Sequence, residues 1–300
     1  MASAATRATA LLTSLRRTPD LHVLDSAQLE TKLTSLLQGG GGDLSVTADF
    51  DRTLTSAGSV SSHGVVEHVE GVFDDSFQKQ ALATSQHYHA IEIDPKLSIE
   101  EKIPHMREWY MTNHALIVKQ GITRAQIGEA VKSPKLTFRE GALELLAKLG
   151  DRSVPTCIFS AGLGDVITEI LRHRSIVDPS IRVVSNKMFF DESDNILVGF
   201  DNDHLIHMFN KKQSALSADE RAFFDRPNMI LMGDSIGDRT MCDGVSEDTT
   251  IIKVGFLNDH VEEKLELYKG AFDMVLVNDA SMAAVLEIVE EALKQASPES

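Results

Sequence analysis

Three hundred residues, 42% hydrophobic and 25% charged, suffice for about two domains around a packed core and argue against a disordered chain. Lys and Arg number 29 against 45 Asp and Glu, and this net charge of −16 argues against nucleic acid and anionic membrane surfaces as partners. The two cysteines, Cys157 and Cys242, build neither a disulfide framework nor a metal-ligand spacing, which points to a reducing compartment; no apolar run approaches the roughly 20 residues of a membrane span.

Residues 1–20 read as an N-terminal extension. Up to residue 19 it carries Arg7, Arg16 and Arg17 and no acid, which fits an organellar transit peptide and equally an ordinary basic helix start. A helical pattern from Leu29 to Leu37 breaks at Gly39-Gly40-Gly41-Gly42, and a first strand follows over Leu44 to Ala48. The stretch from about Ser62 to Lys135 is helix-compatible, poor in β-branched runs, and holds the sole tryptophan, Trp109. It predicts an inserted helical cap over 61–136, with Thr55 to Ser61 and Ser133 to Thr137 as hinges. Beyond it, strands over Val154 to Phe159, Ile181 to Ser185, Met229 to Met232, Thr250 to Val254 and Met274 to Val277 alternate with helices over Ala142 to Leu149, Leu163 to Arg174, Val261 to Tyr268 and Met282 to Gln295. That alternation predicts an α/β fold, a Rossmann-like parallel sheet covered on both faces, built from 21–60 and 137–300. Phe189 to Phe200 carries a hairpin signal around Asp191-Glu192-Ser193-Asp194-Asn195.

Polar groups stand at the carboxyl ends of several of these strands, the end where open parallel sheets bind ligands. The first strand runs into Asp49-Phe50-Asp51-Arg52-Thr53-Leu54-Thr55. Two carboxylates two residues apart share one side of an extended backbone and can divide work, one ionised and one carrying a proton. A later strand ends in Ser160-Ala161-Gly162, predicting a hydroxyl and free N–H groups at a helix start, where phosphate oxygens sit well. A third ends in Gly233-Asp234-Ser235-Ile236-Gly237-Asp238. Lys211 and Lys212 form one of few basic pairs in an acidic chain. Taken singly, each segment has an ordinary structural reading as a turn, an N-cap or a solvated pair; together they point to one site.

The order DxDxT, strand-final Ser, Lys, GDxxxD resembles the haloacid dehalogenase superfamily of phosphohydrolases. The segments HAIEIDPKLSIEEKIPHMREWY, IFSAGLGDV, SNKMFFDESDNILVGF, LIHMFNKK and GDSIGDRTMCDGV resemble, more narrowly, its cytosolic 5′-nucleotidase III (pyrimidine 5′-nucleotidase) family, from roughly Leu21 to the C-terminus. The resemblance implies a cytoplasmic enzyme hydrolysing nucleoside 5′-monophosphates, UMP and CMP foremost, with 7-methylguanosine 5′-monophosphate or another small phosphate ester as alternatives. Asp49 is then the nucleophile and Asp51 the general acid and base. Mg²⁺ is held by Asp49, the Asp51 backbone carbonyl and Asp234, with Asp238 in support. Ser160, Ala161 and Gly162 hold phosphate, and Lys211, rather than Lys212, neutralises charge. A nucleoside monophosphate is the expected partner of a monomer. A non-catalytic binding module would be expected to lack one of the four acids, and none is missing.

For the base, the family uses an acidic side chain early in the cap and aromatic side chains for stacking. In the resemblance Ser76 stands where relatives carry a glutamate; Asp75 or Asp74 would have to substitute, and Tyr88 or Trp109 would stack. His63, His68, His87, His89, His105 and His114 gather in the insertion. The His87-Tyr88-His89 spacing has no third ligand pattern, so surface and packing roles are expected of them.

Overall fold

Every residue of β2 (Leu44–Ala48) is buried, the small polar Ser45 and Thr47 included, as expected of a strand covered on both faces at the centre of a parallel sheet. The computed structural model describes residues 2–294 apart from 68, 70, 71, 74, 95, 193 and 194. His68 and Asp74, and Ser193 and Asp194 of the hairpin signal, lie outside the described residues. Around β2 a seven-stranded sheet has the order β1-β9-β8-β7-β2-β3-β4. Its members are β1 (Leu21–Val23), β3 (Thr156–Leu163), β4 (Ile181–Asn186), β7 (Asn228–Gly233), β8 (Thr250–Leu257) and β9 (Met274–Val277). All pair in parallel except β1, which runs antiparallel along β9 with Leu21 opposite Leu276. This edge strand departs from the all-parallel expectation; three residues are too few to show a period. The hairpin is present as β5 (Met188–Phe190) against β6 (Leu197–Phe200).

The stretch expected as an N-terminal extension folds as α1 (Ala4–Leu15) and packs on α2 (Ser26–Gly39). Ala8, Leu11, Leu12 and Leu15 recur at helical spacing and are all buried, each leucine contributing about 2 kcal/mol of burial. Asp25 caps α2, its Oδ1 accepting the N–H groups of Ala27 and Gln28. The remaining core helices are α7 (Ala142–Asp151), α8 (Gly164–His173), α9 (Ala218–Phe224), α10 (Val261–Lys269) and α11 (Ala283–Leu293). No helix among the described residues is long and apolar enough to cross a membrane.

Between β2 and α7 the chain forms α3 (Ser62–Glu67), α4 (Asp75–Ile93), α5 (Ile99–Lys119) and α6 (Arg124–Ala130). The two linkers into this insertion are bonded to each other: Ser56 N–H donates to the Thr137 carbonyl at 3.0 Å and Val60 N–H to the Lys135 carbonyl at 3.1 Å. The β5–β6 hairpin braces the insertion from the core side, Leu197 N–H donating to the Ile122 carbonyl at 2.8 Å. The strand order β7-β2-β3 sets the ends of three strands side by side, and α3 packs against β3.

Candidate active site

Asp49 follows β2 directly, and its N–H continues the ladder to the Met232 carbonyl of β7 at 2.9 Å. The backbone then turns sharply, with Arg52 in the left-handed region at φ 61°, a conformation that costs a non-glycine residue about 1 kcal/mol or more. Arg139, just past the second linker, holds this turn. Its guanidinium is buried and donates to the Thr53 carbonyl at 2.8 Å, the Arg52 carbonyl at 2.6 Å, the Ala280 carbonyl at 2.8 Å and Asn258 Oδ1 at 3.1 Å. It also pairs with Asp279 at 2.9 Å. Nothing in the DxDxT pattern marks this residue; the signal was a lone arginine beside a predicted hinge in an acidic chain.

Lys211 is buried, while its neighbour Lys212 is exposed. Its ammonium donates to Asp49 Oδ1 and, at 2.9 Å, to Asp238 Oδ1. The other Asp238 oxygen accepts the N–H of Ser235 at 2.9 Å and its hydroxyl at 2.8 Å, so β7's exit loop fixes that carboxylate. Thr53 Oγ1 donates to Asp49 Oδ2 at 3.2 Å. Carboxylate oxygens of Asp49, Asp234 and Asp238 lie within 4.8 Å of one another. Arg52 Nε stands 3.8 Å from Asp234.

This crowding has an electrostatic signature. Burial pushes the Asp49 carboxyl up to about 7, with the charges of Asp238 and Asp51 pushing the same way against Lys211. Asp234 is raised well above the carboxylate range by burial and by its neighbours Asp49 and Asp238. Burial alone would push the Lys211 ammonium down; the Asp238 and Asp49 charges overcome it and hold the amine above its ordinary value. Two buried carboxylates, Asp49 and Asp238, thus share one buried amine with the half-buried Asp234 beside them, and the excess negative charge suits a divalent cation ligated by oxygen.

Asp51 faces the inserted helices. Its Oδ1 accepts the Ser62 N–H at 2.9 Å and its Oδ2 the Ser62 hydroxyl at 3.0 Å. Burial raises its carboxyl, while the Ser62 bonds and Lys211 oppose the rise.

Ser160 is buried beside this group, but not at a helix start: β3 continues to Leu163 and α8 begins at Gly164. The extension has a cause in β4, where Asn186 Nδ2 donates to the Ala161 carbonyl at 2.7 Å and Ser185 Oγ to the Gly162 carbonyl at 2.7 Å. The Gly162 N–H donates to Ser160 Oγ at 3.0 Å.

A cavity of about 390 Å³ opens between α3, α4 and α5, with His63, Glu67, Gln78, Trp109, Tyr110 and Asn113 on its wall. Trp109 Nε1 and Asn113 Oδ1 are buried without a hydrogen-bond partner among the described residues. Tyr110 links the cavity to the acids: burial raises its phenol, and Glu92, Asp51 and Asp49 push the same way against Lys211. Of the residues expected to meet a base, Asp75 and Ser76 are exposed at the start of α4 and off this wall; Gln80 Nε2 donates to Ser76 Oγ at 3.0 Å. Tyr88 is buried behind Trp109, ring centroids 6.1 Å apart and planes within 14°. Glu67, Gln78 and Asn113 were not singled out from the sequence, because helical period alone does not say which face lines a cavity. The histidines are spread among packing and surface places: His114 stacks on Phe200 at 3.9 Å, and His89 pairs with Glu92 on the surface.

A sequence model of the pyrimidine 5′-nucleotidase (UMPH-1) family matches residues 52–293. The 7-methylguanosine phosphate-specific 5′-nucleotidase of Rattus norvegicus is 39% identical over 274 residues, covering 88% of this chain and 90% of the relative. The chain belongs to the pyrimidine 5′-nucleotidase family. Its structure superposes on that of cytosolic 5′-nucleotidase IIIB bound to cytidine with a TM-score of 0.82 and 30% identity, covering 94% of this chain and 97% of the other. A HAD family hydrolase from Salmonella enterica serovar Typhi, 17% identical with a TM-score of 0.52 over 83% of this chain and 71% of its own, shares the fold alone. Membership makes this chain a phosphoric monoester hydrolase of the 5′-nucleotidase kind.

Proposed function

We propose that this nucleotidase cleaves nucleoside 5′-monophosphates through an aspartyl-phosphate on Asp49, with 7-methylguanosine 5′-monophosphate its preferred substrate. In the first half-reaction the Asp49 carboxylate attacks phosphorus, the bond from phosphorus to O5′ breaks, and Asp51 gives its proton to the departing oxygen. In the second, Asp51 takes a proton from water as the water oxygen attacks phosphorus. The acyl-phosphate bond then breaks, releasing phosphate and restoring the Asp49 carboxylate. Ser160 and the N–H groups of Ala161 and Gly162 hold phosphoryl oxygens; the Gly162 N–H exchanges its bond to Ser160 for one to the ligand. Lys211 offsets charge on Asp49 and the phosphoryl group.

Asp49, Asp234, Asp238 and the Asp51 carbonyl would hold Mg²⁺, which supplies charge neutralisation and polarisation of a phosphoryl oxygen. The excess of buried carboxylates over amines supports this fit. The insertion acts as a cap that excludes water while the ester breaks. The acidic surface supports a monomer, which light scattering would test against the 32.9 kDa chain mass, and the two free cysteines support a reducing compartment such as the cytoplasm.

The base preference is carried by one observation: the wall that joins Trp109, with its unpartnered Nε1, to Glu67. An indole face and a carboxylate suit a base that is both aromatic and cationic. The relatives named for 7-methylguanosine phosphate support the same choice. The UMP and CMP preference expected from sequence is the second reading, favoured by the cytidine in the similar structure. The test is kcat/KM for 7-methyl-GMP, GMP, AMP, UMP, CMP and dTMP, each with Mg²⁺ and with chelator. A lead of 7-methyl-GMP over GMP is expected, lost on chelation. Equal rates for those two, or a lead for UMP and CMP, would overturn the preference. Turnover undiminished by chelator would overturn the metal assignment.

A further inference from the structure

Ser62 grips both oxygens of Asp51 from a different part of the fold. It lies at the first position of α3, in the insertion, whereas Asp51 lies in the core loop after β2. Its backbone N–H donates to Oδ1 at 2.9 Å and its hydroxyl to Oδ2 at 3.0 Å. The direction of the second bond follows from a third. The Leu163 N–H of β3 donates to Ser62 Oγ at 3.3 Å, which occupies a lone pair and leaves the hydroxyl proton for Asp51. Ser62 is fully buried, and room for its hydroxyl exists only because residue 162 is glycine: a Cβ there would stand 2.1 Å from Ser62 Oγ.

We infer that Ser62 is the positioning residue for Asp51, locking the rotation of its carboxyl group through two donors so that one lone pair on each oxygen stays free for the proton that Asp51 exchanges. A carboxyl group held at one oxygen still turns about its Cβ–Cγ bond; held at both, it does not. Since one partner is in the cap and the other in the core, the grip is complete only with the cap seated, when the site is closed to water. The inference rests on the reading of Asp51 as general acid.

That dependence chooses the experiment. A nucleoside 5′-oxygen leaves as a basic alkoxide and needs a proton, whereas p-nitrophenolate leaves without one. The quantity to measure is kcat/KM, which covers steps up to the first ester cleavage, for 7-methyl-GMP, UMP and p-nitrophenyl phosphate. For Ser62→Ala the expected result is a fall of about 30-fold on the better nucleotide, in kcat rather than KM, and of less than about threefold on the aryl ester. Ser62→Cys keeps the shape with a weak donor, should show the same pattern, and serves if the alanine variant does not fold. Asp51→Asn should show that pattern more strongly. Equal losses on both esters for the Ser62 variants, or a loss confined to KM, would overturn the inference. If Asp51→Asn discriminates between the esters and Ser62→Ala does not, the inference fails alone. If Asp51→Asn also strikes both esters equally, the general-acid reading fails and the inference with it.

Discussion

The Lys211 ammonium donates to Oδ1 of Asp49 across 162 residues of sequence, and both groups are buried. Its second bond, to Asp238, makes the one amine a bridge between the exits of β2 and β7. Desolvating an amine and two carboxylates is costly, and the arrangement is tolerable because each charge has a partner.

Removing the amine exposes that cost. Lys211→Met leaves Asp49, Asp234 and Asp238 facing one another, so their mutual repulsion is relieved only by protonation or by a divalent cation. Turnover with Mg²⁺ should fall at least about a hundredfold, as expected when a preorganised charge at the reacting group is lost. The thermal midpoint of the variant should also rise more on Mg²⁺ addition than that of the parent chain. Calorimetric scans with and without Mg²⁺, together with phosphate release, would check both. A variant within tenfold of parental activity would remove Lys211 from the mechanism.

Arg139 supports the same loop from beneath. Four carbonyl or amide oxygens and the Asp279 carboxylate surround its guanidinium, which also lies 4.3 Å over the Phe256 ring. Arg139→Met keeps much of the stem but strands the Thr53 and Ala280 carbonyls and leaves the Arg52 carbonyl to Asn258 Nδ2 alone, at 3.0 Å. A loss of about 3–5 kcal/mol in urea unfolding is expected. Arg139→Lys should recover only part of this, because a point charge cannot span the fork of acceptors. A loss under about 1 kcal/mol for the methionine variant would show that the loop holds its own shape.

What the sequence disclosed divides along local and long-range lines. Leu44 to Ala48 and Met274 to Val277 were legible to the residue, the second as an apolar run and the first as a short strand pattern held between a glycine run and an acidic turn. Asp49, Asp51, Asp234 and Asp238 were legible because their spacing is local to two strand ends. Lys211 could not be separated from Lys212 by composition; burial separates them. Ser160 was placed one element too late, at a helix start, because the contacts that prolong β3 come from Asn186 and Ser185 on another strand. The cap wall was the least legible: Tyr88 and Trp109 are both aromatic residues on amphipathic helices, and only the packing of α4 on α5 decides which one meets the cavity.

The aromatic packing behind the cavity carries a pH dependence of its own. Burial depresses His114 to about 3, with His63 pushing the same way, and burial depresses His63 to about 4, both below the usual 6.5. Between those values and 6.5 the unfolded chain binds more protons than the folded one. This contribution to stability is therefore complete above about 6.5 and is lost as the pH falls toward 4. Carboxyl groups raised by burial act in the opposite sense, so the histidine part is isolated by difference. His114→Phe keeps the stack on Phe200 and removes one titration. Its thermal midpoint relative to the parent should rise steadily from pH 7 to pH 4.5. A difference independent of pH would show that His114 is not held neutral.

The base-stacking assignment makes the most direct prediction about specificity. Trp109 is on the cavity wall and Tyr88 supports it from behind, so the two should differ in effect although they stack on each other. Trp109→Leu removes the indole face. Loss of one base–aromatic stack costs about 1–3 kcal/mol, roughly 5- to 150-fold, and should appear mainly as a higher KM for the preferred nucleotide. Tyr88→Leu should cost less in KM and more in cap stability, since its ring is buried rather than offered to ligand. Neither variant should alter turnover of p-nitrophenyl phosphate by more than about threefold, because that ester has no base for the wall to hold. If Tyr88→Leu raised KM more than Trp109→Leu, the base would have to lie on the other side of the pair, and the cavity between α3, α4 and α5 would not be its seat.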